Sequence, residues 1–223
     1  YLYFSGRGNN YDTELWKTNG TEEGTVMVKD IRPGEYGSSP SEFTVMGDML
    51  YFSAYDGSNG YELWKTDGTE DGTMMVADIY EGSGHSNPHN FVVVGDMIYF
   101  SATDGIHGYE MWKTNGTEDG TVMVADIYFG SGSSYAFGHN GIIVDDVFYF
   151  EATDGTHGFE LWRSDGTEDG TFLVKDIAYG SSSSMDYSYM YAVGEVFVFT
   201  ADDGYTGQEL YWNSFPETNI FYE

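Results

Sequence analysis

Five glutamates, Glu14, Glu62, Glu110, Glu160 and Glu209, recur at intervals of 48, 48, 50 and 49 residues. A carboxylate fixed in a β-strand could serve as the acid of glycoside cleavage, which needs two carboxyl groups in unlike roles. An active site breaks symmetry, whereas these five return in every copy. Their pattern therefore predicts acceptors for backbone amides, or pairs between copies. A second set, Asp56, Asp104, Asp154 and Asp203, lies six residues before four of those glutamates and opens Asp-Gly-x-x-Gly loops. Carboxylate oxygen beside glycine-permitted carbonyls suits a hard cation such as calcium. Asp and Gly are also good turn formers, and both readings stay open. Gly8 takes the place of the aspartate in the first copy, which should lack the site. Of the histidines 85, 89, 107, 139 and 157, only His85 and His89 are near in sequence, and they share a loop. Loop polarity is the expectation for them rather than a metal centre. Asn19-Gly20-Thr21 and Asn115-Gly116-Thr117 fit the glycan acceptor pattern, so Asn19 and Asn115 are the expected glycan sites if the chain is eukaryotic and secreted.

The elements that must position these residues follow from the repeat. Glu14-Leu15-Trp16-Lys17-Thr18-Asn19-Gly20-Thr21-Glu22-Glu23-Gly24-Thr25 returns at 62–73, 110–121 and 160–171, and in degraded form from Glu209. In the second copy four runs, Phe43 to Met46, Met49 to Ala54, Tyr61 to Thr66 and Thr73 to Ile79, are rich in aromatic and β-branched residues. Gly47-Asp48 joins the first two as a two-residue hairpin, and Asp67 to Gly72 joins the last two. Four antiparallel strands in a meander result. Tyr61, Leu63 and Lys65 alternate with Glu62, Trp64 and Thr66, and both sets carry large apolar groups, so neither face of the sheet should see water.

Such meanders, joined by long connectors such as Tyr80 to Asn90, predict an all-β fold, a β-propeller of five four-stranded blades. The boundaries fall at about 1–41, 42–89, 90–138, 139–187 and 188–223, within a single domain. Nineteen strands are expected, from Tyr1 to Gly6 through Asn219 to Tyr222. The first blade lacks its innermost strand, which is expected just before Tyr1, so that the sequence begins inside a longer polypeptide. A slice of a larger array is the alternative. Trp16, Trp64, Trp112 and Trp162 should take equivalent positions between blades. Six of the eight cations, Lys17, Lys29, Lys65, Lys113, Arg163 and Lys175, also sit at fixed repeat positions and read as scaffold.

Glu-Leu-Trp-Lys-Thr-Asp-Gly-Thr at 62–69, with its copies, resembles the ELWxxDGT repeat family over essentially the whole chain. The resemblance implies tandem propeller-type repeats of surface or exported proteins, with no established enzymatic activity. The fifth copy departs from the pattern, reading Glu209-Leu210-Tyr211-Trp212-Asn213-Ser214-Phe215-Pro216.

Composition bounds the partners. The 223 residues hold 37 acidic side chains against 8 Lys and Arg, a formal charge of -29. Nucleic acid and anionic membrane surfaces require a basic face that this chain does not possess. Apolar runs of about four residues fall far short of the ~18 that cross a bilayer. Twenty Tyr, 15 Phe, 5 Trp and 10 Met supply the apolar bulk to fold an otherwise acidic chain. Cysteine is absent, which permits any compartment. The expectation is an extracellular or cell-surface module that is not an enzyme, with a structural, protein-interaction or adhesion role. A lectin-like propeller is the alternative, because exposed Tyr and Trp beside Asp, Asn and Ser suit sugar rings.

Overall fold

The structure, a computed structural model, describes residues 1–8, 12–136, 141–185, 189–193, 196–214 and 221–222. The described residues form 19 strands and no helix. A three-stranded sheet, β1 (Leu2–Arg7), β2 (Thr13–Thr18) and β3 (Val26–Lys29), comes first. The second sheet holds β4 (Ser41–Met46), β5 (Met49–Tyr55), β6 (Tyr61–Thr66) and β7 (Met74–Ala77). The third holds β8 (His89–Val94), β9 (Met97–Ala102), β10 (Glu110–Thr114) and β11 (Val122–Ala125). The fourth holds β12 (Ile142–Val144), β13 (Val147–Ala152), β14 (Glu160–Ser164) and β15 (Phe172–Lys175). The fifth holds β16 (Met190–Val193), β17 (Val196–Asp202), β18 (Gln208–Ser214) and β19 (Phe221–Tyr222). In every sheet the strands neighbour one another in chain order, as a meander requires.

Each hairpin has a local cause. Met46 pairs with Met49 across Gly47-Asp48, and Gly47 has φ of 60°. A two-residue turn that matches strand twist needs this left-handed conformation. Asp145 and Asp146 hold φ of 50° and 62° at the same place between β12 and β13, where no glycine helps. The repeat motif itself closes the turn between β6 and β7. Asp67 Oδ1 accepts the Thr69 amide and hydroxyl, Thr69 Oγ1 accepts the Gly72 amide, and the Thr66 and Thr73 hydroxyls meet at 2.7 Å. A Cβ on Gly72 would lie 2.1 Å from Asp67 Oδ1, so only glycine fits there. The same bonds recur at 18–25, 114–121 and 164–171, with Ser164 in place of the first threonine.

The chain divides into two compact units, Tyr1–Ile106 with Trp112–Val122, and His107–Met111 with Met123–Glu223. In the first, Leu15, Val28 and Ile31 of one copy bury against Phe52, Ala54 and Trp64 of the next. Trp64 is thus placed between two sheets. In the second, Tyr149, Leu161 and Ile177 pack with Phe197, Phe199, Ala201 and Tyr211. Phe199 pairs with Tyr211 as Phe150 pairs with Trp162, so Tyr211 takes the tryptophan's place in the fifth copy. Both faces of β6 are buried, Glu62 and Leu63 fully and Trp64 to 7% exposure. Among the described residues no helix is long and apolar enough to cross a membrane.

Candidate functional site: the connector face

The recurring glutamates are the first thing to place. Glu62 Oε2 accepts the Ile79 amide at 2.8 Å and the Ser86 hydroxyl at 2.6 Å, and Oε1 accepts the Ser86 amide at 3.0 Å. The carbonyl of Ser86 then accepts the Thr103 amide, which belongs to the start of the next loop. Glu14 with Ser38 and Tyr55, Glu110 with Ser134 and Thr153, and Glu160 with Ser184 and Asp202 repeat the device. Glu209, in the degraded fifth copy, is half-buried and is not placed by such a bond among the described residues; Glu14, Glu62, Glu110 and Glu160 satisfy backbone amides, as their symmetry predicts. Their serine partners escaped the sequence reading, although Ser38, Ser86, Ser134 and Ser184 each stand 24 residues beyond a glutamate. Burial pushes the carboxyls of Glu62 and Glu110 up to about 7, against the pull of the serine and amide bonds. Glu14 and Glu160 are raised for the same reason.

The lysines brace the opposite ends of the strands. Lys17 Nζ donates to the Gly68 carbonyl and Lys65 Nζ to the Gly116 carbonyl, both at 2.7 Å and both 51 residues onward. Lys29 donates to the Thr73 carbonyl at 2.8 Å. These cations tie one copy to the motif turn of the next.

With scaffold accounted for, the connectors and the Asp-Gly loops remain. They lie side by side: Gly108 donates to the Gly130 carbonyl and Gly158 to the Gly180 carbonyl, both at 3.3 Å. The ring of Tyr80 covers Gly105, where an added Cβ would meet it at 2.1 Å, and Tyr128 covers Gly155 likewise. Each predicted loop aspartate builds its own turn. Asp56 Oδ1 accepts the Ser58 and Asn59 amides, Asp104 Oδ1 that of Ile106, Asp154 Oδ1 those of Thr156 and His157, and Asp203 Oδ1 those of Tyr205 and Thr206. The structure does not gather them: among the described residues no group of three or more His, Asp or Glu side chains could hold a metal ion. Asn19 and Asn115 are exposed, and their Oδ1 atoms accept the Thr21 and Thr117 amides inside motif turns.

The histidines serve these loops. His85 Nδ1 accepts the Tyr61 amide at 3.0 Å, and its ring packs at 5.5 Å on Tyr55 and Tyr61. His89 Nδ1 lies 2.9 Å from the Asn87 carbonyl. His157 Nδ1 bonds Asp154 Oδ2 at 2.8 Å, with Asp176 Oδ2 4.0 Å from Nε2. That bond raises the His157 pKa; burial alone would raise Asp154, but the His157 and Thr156 bonds outweigh it and leave Asp154 lowered. His107 Nε2 stands 3.9 Å from Asp126 Oδ2 in the corresponding place. His139 lies outside the described residues.

Two clefts open on this side of the first unit. One, of about 420 Å³, is lined by Ser39, Ser41, Glu42, Tyr61, Asn87 and His89 among others. Ser39, Glu42 and Asn87 there have φ between 43° and 59°. Tyr135 repeats the conformation of Ser39 and Asn87 at the same place in the next copy, which marks it as part of the scaffold. The other, of about 400 Å³, lies between the connector after β7 and the β9–β10 loop, with Trp112 in its wall.

No family model matches the chain, and no curated protein matches it. Among solved structures it is similar to prolyl endopeptidases, at 13% identity and TM-score 0.52 over 99% of this chain and 32% of theirs. A puromycin hydrolase matches at 11% identity and TM-score 0.50 over 83% of this chain and 28% of its own. The β-propeller domain of the Trilobed protease from Pyrococcus furiosus matches at 13% identity and TM-score 0.45, over 99% of this chain and 64% of that one. The chain spans about a third of the first two enzymes' length, and at these identities the likeness concerns the fold alone.

The expectation that the chain is not an enzyme is corrected by these likenesses, since the first two similar structures are enzymes. The argument from symmetry explains the repeated glutamates as scaffold. It does not extend to residues that differ between copies.

Proposed function

We propose that this chain is a propeller-type interaction module whose connector face contacts protein partners in a surface or extracellular assembly. The reading is carried by one observation. Phe129, Tyr179 and Tyr205 are 88–89% exposed, and all three lie on connectors or Asp-Gly loops, where the copies differ. Large aromatics held fully in water are costly to keep unless a partner covers them, and aromatics are enriched at the centres of contact surfaces. Five meanders joined by the same glutamate and serine device support closure into five blades, and the ELWxxDGT resemblance supports a place outside the cytoplasm. In a eukaryotic secreted setting Asn19 and Asn115 would carry glycans.

A sugar ligand is the second reading, favoured by the same exposed tyrosines, on which sugar rings stack. The test is binding of labelled protein to intact cells of the source before and after treatment with protease or glycosidase. Protease sensitivity supports a protein partner and glycosidase sensitivity a glycan. The triple variant Phe129→Ser, Tyr179→Ser, Tyr205→Ser should lose binding with its melting temperature unchanged; undiminished binding would overturn both readings.

A further inference from the structure

We propose that Asn19 is a deamidation site, converted to aspartate in the folded protein, and that Asn115, in the same dipeptide, is shielded from the reaction. Lys17-Thr18-Asn19-Gly20-Thr21-Glu22 and Lys113-Thr114-Asn115-Gly116-Thr117-Glu118 are identical in sequence. Their intrinsic reactivity is therefore the same, and only the fold can separate them. In an Asn-Gly pair the glycine has no side chain to hinder its own nitrogen. The Gly20 nitrogen attacks Asn19 Cγ, the Cγ–Nδ2 bond breaks, and ammonia leaves with the proton from the glycine nitrogen. Water then opens the resulting succinimide at Cγ to give aspartate, or at the main-chain carbonyl to give isoaspartate. Both turns polarise the carbonyl that is attacked, since Oδ1 accepts the amide and hydroxyl of Thr21 in one and of Thr117 in the other.

What differs is the freedom of the glycine, which must turn out of its bonds before it can attack. Its amide donates to the threonine hydroxyl two residues back in both turns, Gly20 to Thr18 at 3.0 Å and Gly116 to Thr114 at 2.9 Å. The first bond is open to solvent; the second is buried, with Thr114 wholly inaccessible. Gly116 is itself buried and is clamped twice. Lys65 Nζ donates to its carbonyl at 2.7 Å, and a Cβ placed on it would lie 2.1 Å from the Tyr51 hydroxyl oxygen. Gly20 is exposed, and among the described residues no atom would come within 4 Å of a Cβ placed there. Opening the turn at Asn115 thus breaks a charge-assisted bond for which Gly20 shows no counterpart among the described residues.

The product suits the fold. Asp67 and Asp165 stand at the same place in the second and fourth copies, and their Oδ1 atoms accept the amides and hydroxyls of Thr69 and Thr167. Aspartate at position 19 therefore keeps the turn, while isoaspartate puts an extra carbon into the main chain and does not. Conversion also removes Nδ2, so it cancels the glycan acceptor at 19 and leaves the one at 115 intact.

The full chain, free of glycans, is incubated folded at mildly alkaline pH beside a second sample in denaturing guanidinium chloride, and both are digested for mass spectrometry. Conversion is read at each asparagine as the mass gain from amide to acid. In denaturant the two sites should react alike. In the folded protein Asn19 should convert on the order of tenfold faster than Asn115, the factor that one charge-assisted bond to be broken beforehand supplies. Lys65→Met should speed Asn115 and leave Asn19 unchanged, which a general loosening of the protein would not do. Asn19→Asp should melt at the same temperature as the parent chain. Equal rates in the folded protein, or an Asn19 that reacts only in denaturant, would overturn the site. An Asn115 rate unmoved by Lys65→Met would overturn the clamp as the cause of the shielding, and a lowered melt in Asn19→Asp would overturn the fit of the product.

Discussion

The Ser86 hydroxyl donates to Glu62 Oε2 at 2.6 Å, across 24 residues of chain, with both side chains wholly buried. That bond fixes the later part of the long connector to β6, the third strand of the sheet it leaves. The Ser86 carbonyl carries the connection forward to Thr103. Glu62→Ala strands the Ile79 and Ser86 amides without an acceptor and leaves the Ser86 hydroxyl only the Tyr61 carbonyl, at 3.1 Å. The expected loss is about 3–5 kcal/mol of unfolding free energy, the range for breaking a buried charged partnership. Glu62→Gln, which keeps one acceptor oxygen, should lose less. Urea melts of the two variants check both the size and the order.

Acid should stabilise this protein down to mild pH. Unfolded, Glu62 and Glu110 titrate near 4.5; folded, near 7. Between those values the folded state holds more protons, so stability falls as pH rises from about 4.5 to about 7. His157, whose folded pKa is raised, works in the same sense: its contribution is complete below 6.5 and is lost as pH climbs through the folded value. Below about 3.8 the lowered Asp56, Asp154 and Asp203 reverse the slope. At constant ionic strength the melting temperature should be higher at pH 5 than at pH 8, and Glu62→Gln with Glu110→Gln should flatten the difference. A higher value at pH 8 would contradict the assignment.

Lys65→Met should cost about 1–2 kcal/mol, because the Gly116 carbonyl loses a charged donor while the stem of the side chain is retained. Unchanged stability in the variant would show that the bond merely exchanges with water.

Trp64→Ala removes a ring buried against Leu15, Val28 and Ile31 of the preceding copy. A loss of about 3–5 kcal/mol is expected. Trp64→Phe should recover much of it, since the Trp64 Nε1 makes no hydrogen bond within the protein.

The Asx turns at Asp56, Asp104, Asp154 and Asp203 already engage Oδ1 with backbone amides. Melts with millimolar calcium and with chelator, matched in ionic strength, should therefore coincide. A calcium-specific rise, abolished by Asp154→Asn or its counterparts, would instead make these loops ligands.

Most of the architecture was legible because the repeat supplies the same signal several times. The strand from Tyr61 to Thr66 could be read from alternation alone, and Gly47-Asp48 announced its hairpin. The glutamates' role was legible from symmetry. Their serines were not, since a serine in a loop of glycines and serines carries no pattern until the fold brings Ser86 under Glu62. The meeting of Tyr80 with Gly105 was equally hidden: they stand 25 residues apart, in two copies of the repeat. Sequence symmetry identifies what the copies share and has little to say about a cleft that one of them makes with the next.

The lysine joints bear on how such a chain changes length. In the first unit Lys17 of the first copy reaches the Gly68 carbonyl of the second, and Lys65 of the second reaches the Gly116 carbonyl of the third. The second copy therefore carries both halves of the same fastening. A duplication or deletion of one whole period, wherever the cut falls within it, restores a matched donor and acceptor at the new seam. Recombination out of phase by even a few residues would not, and the glutamates keep a spacing of 48 to 50 residues.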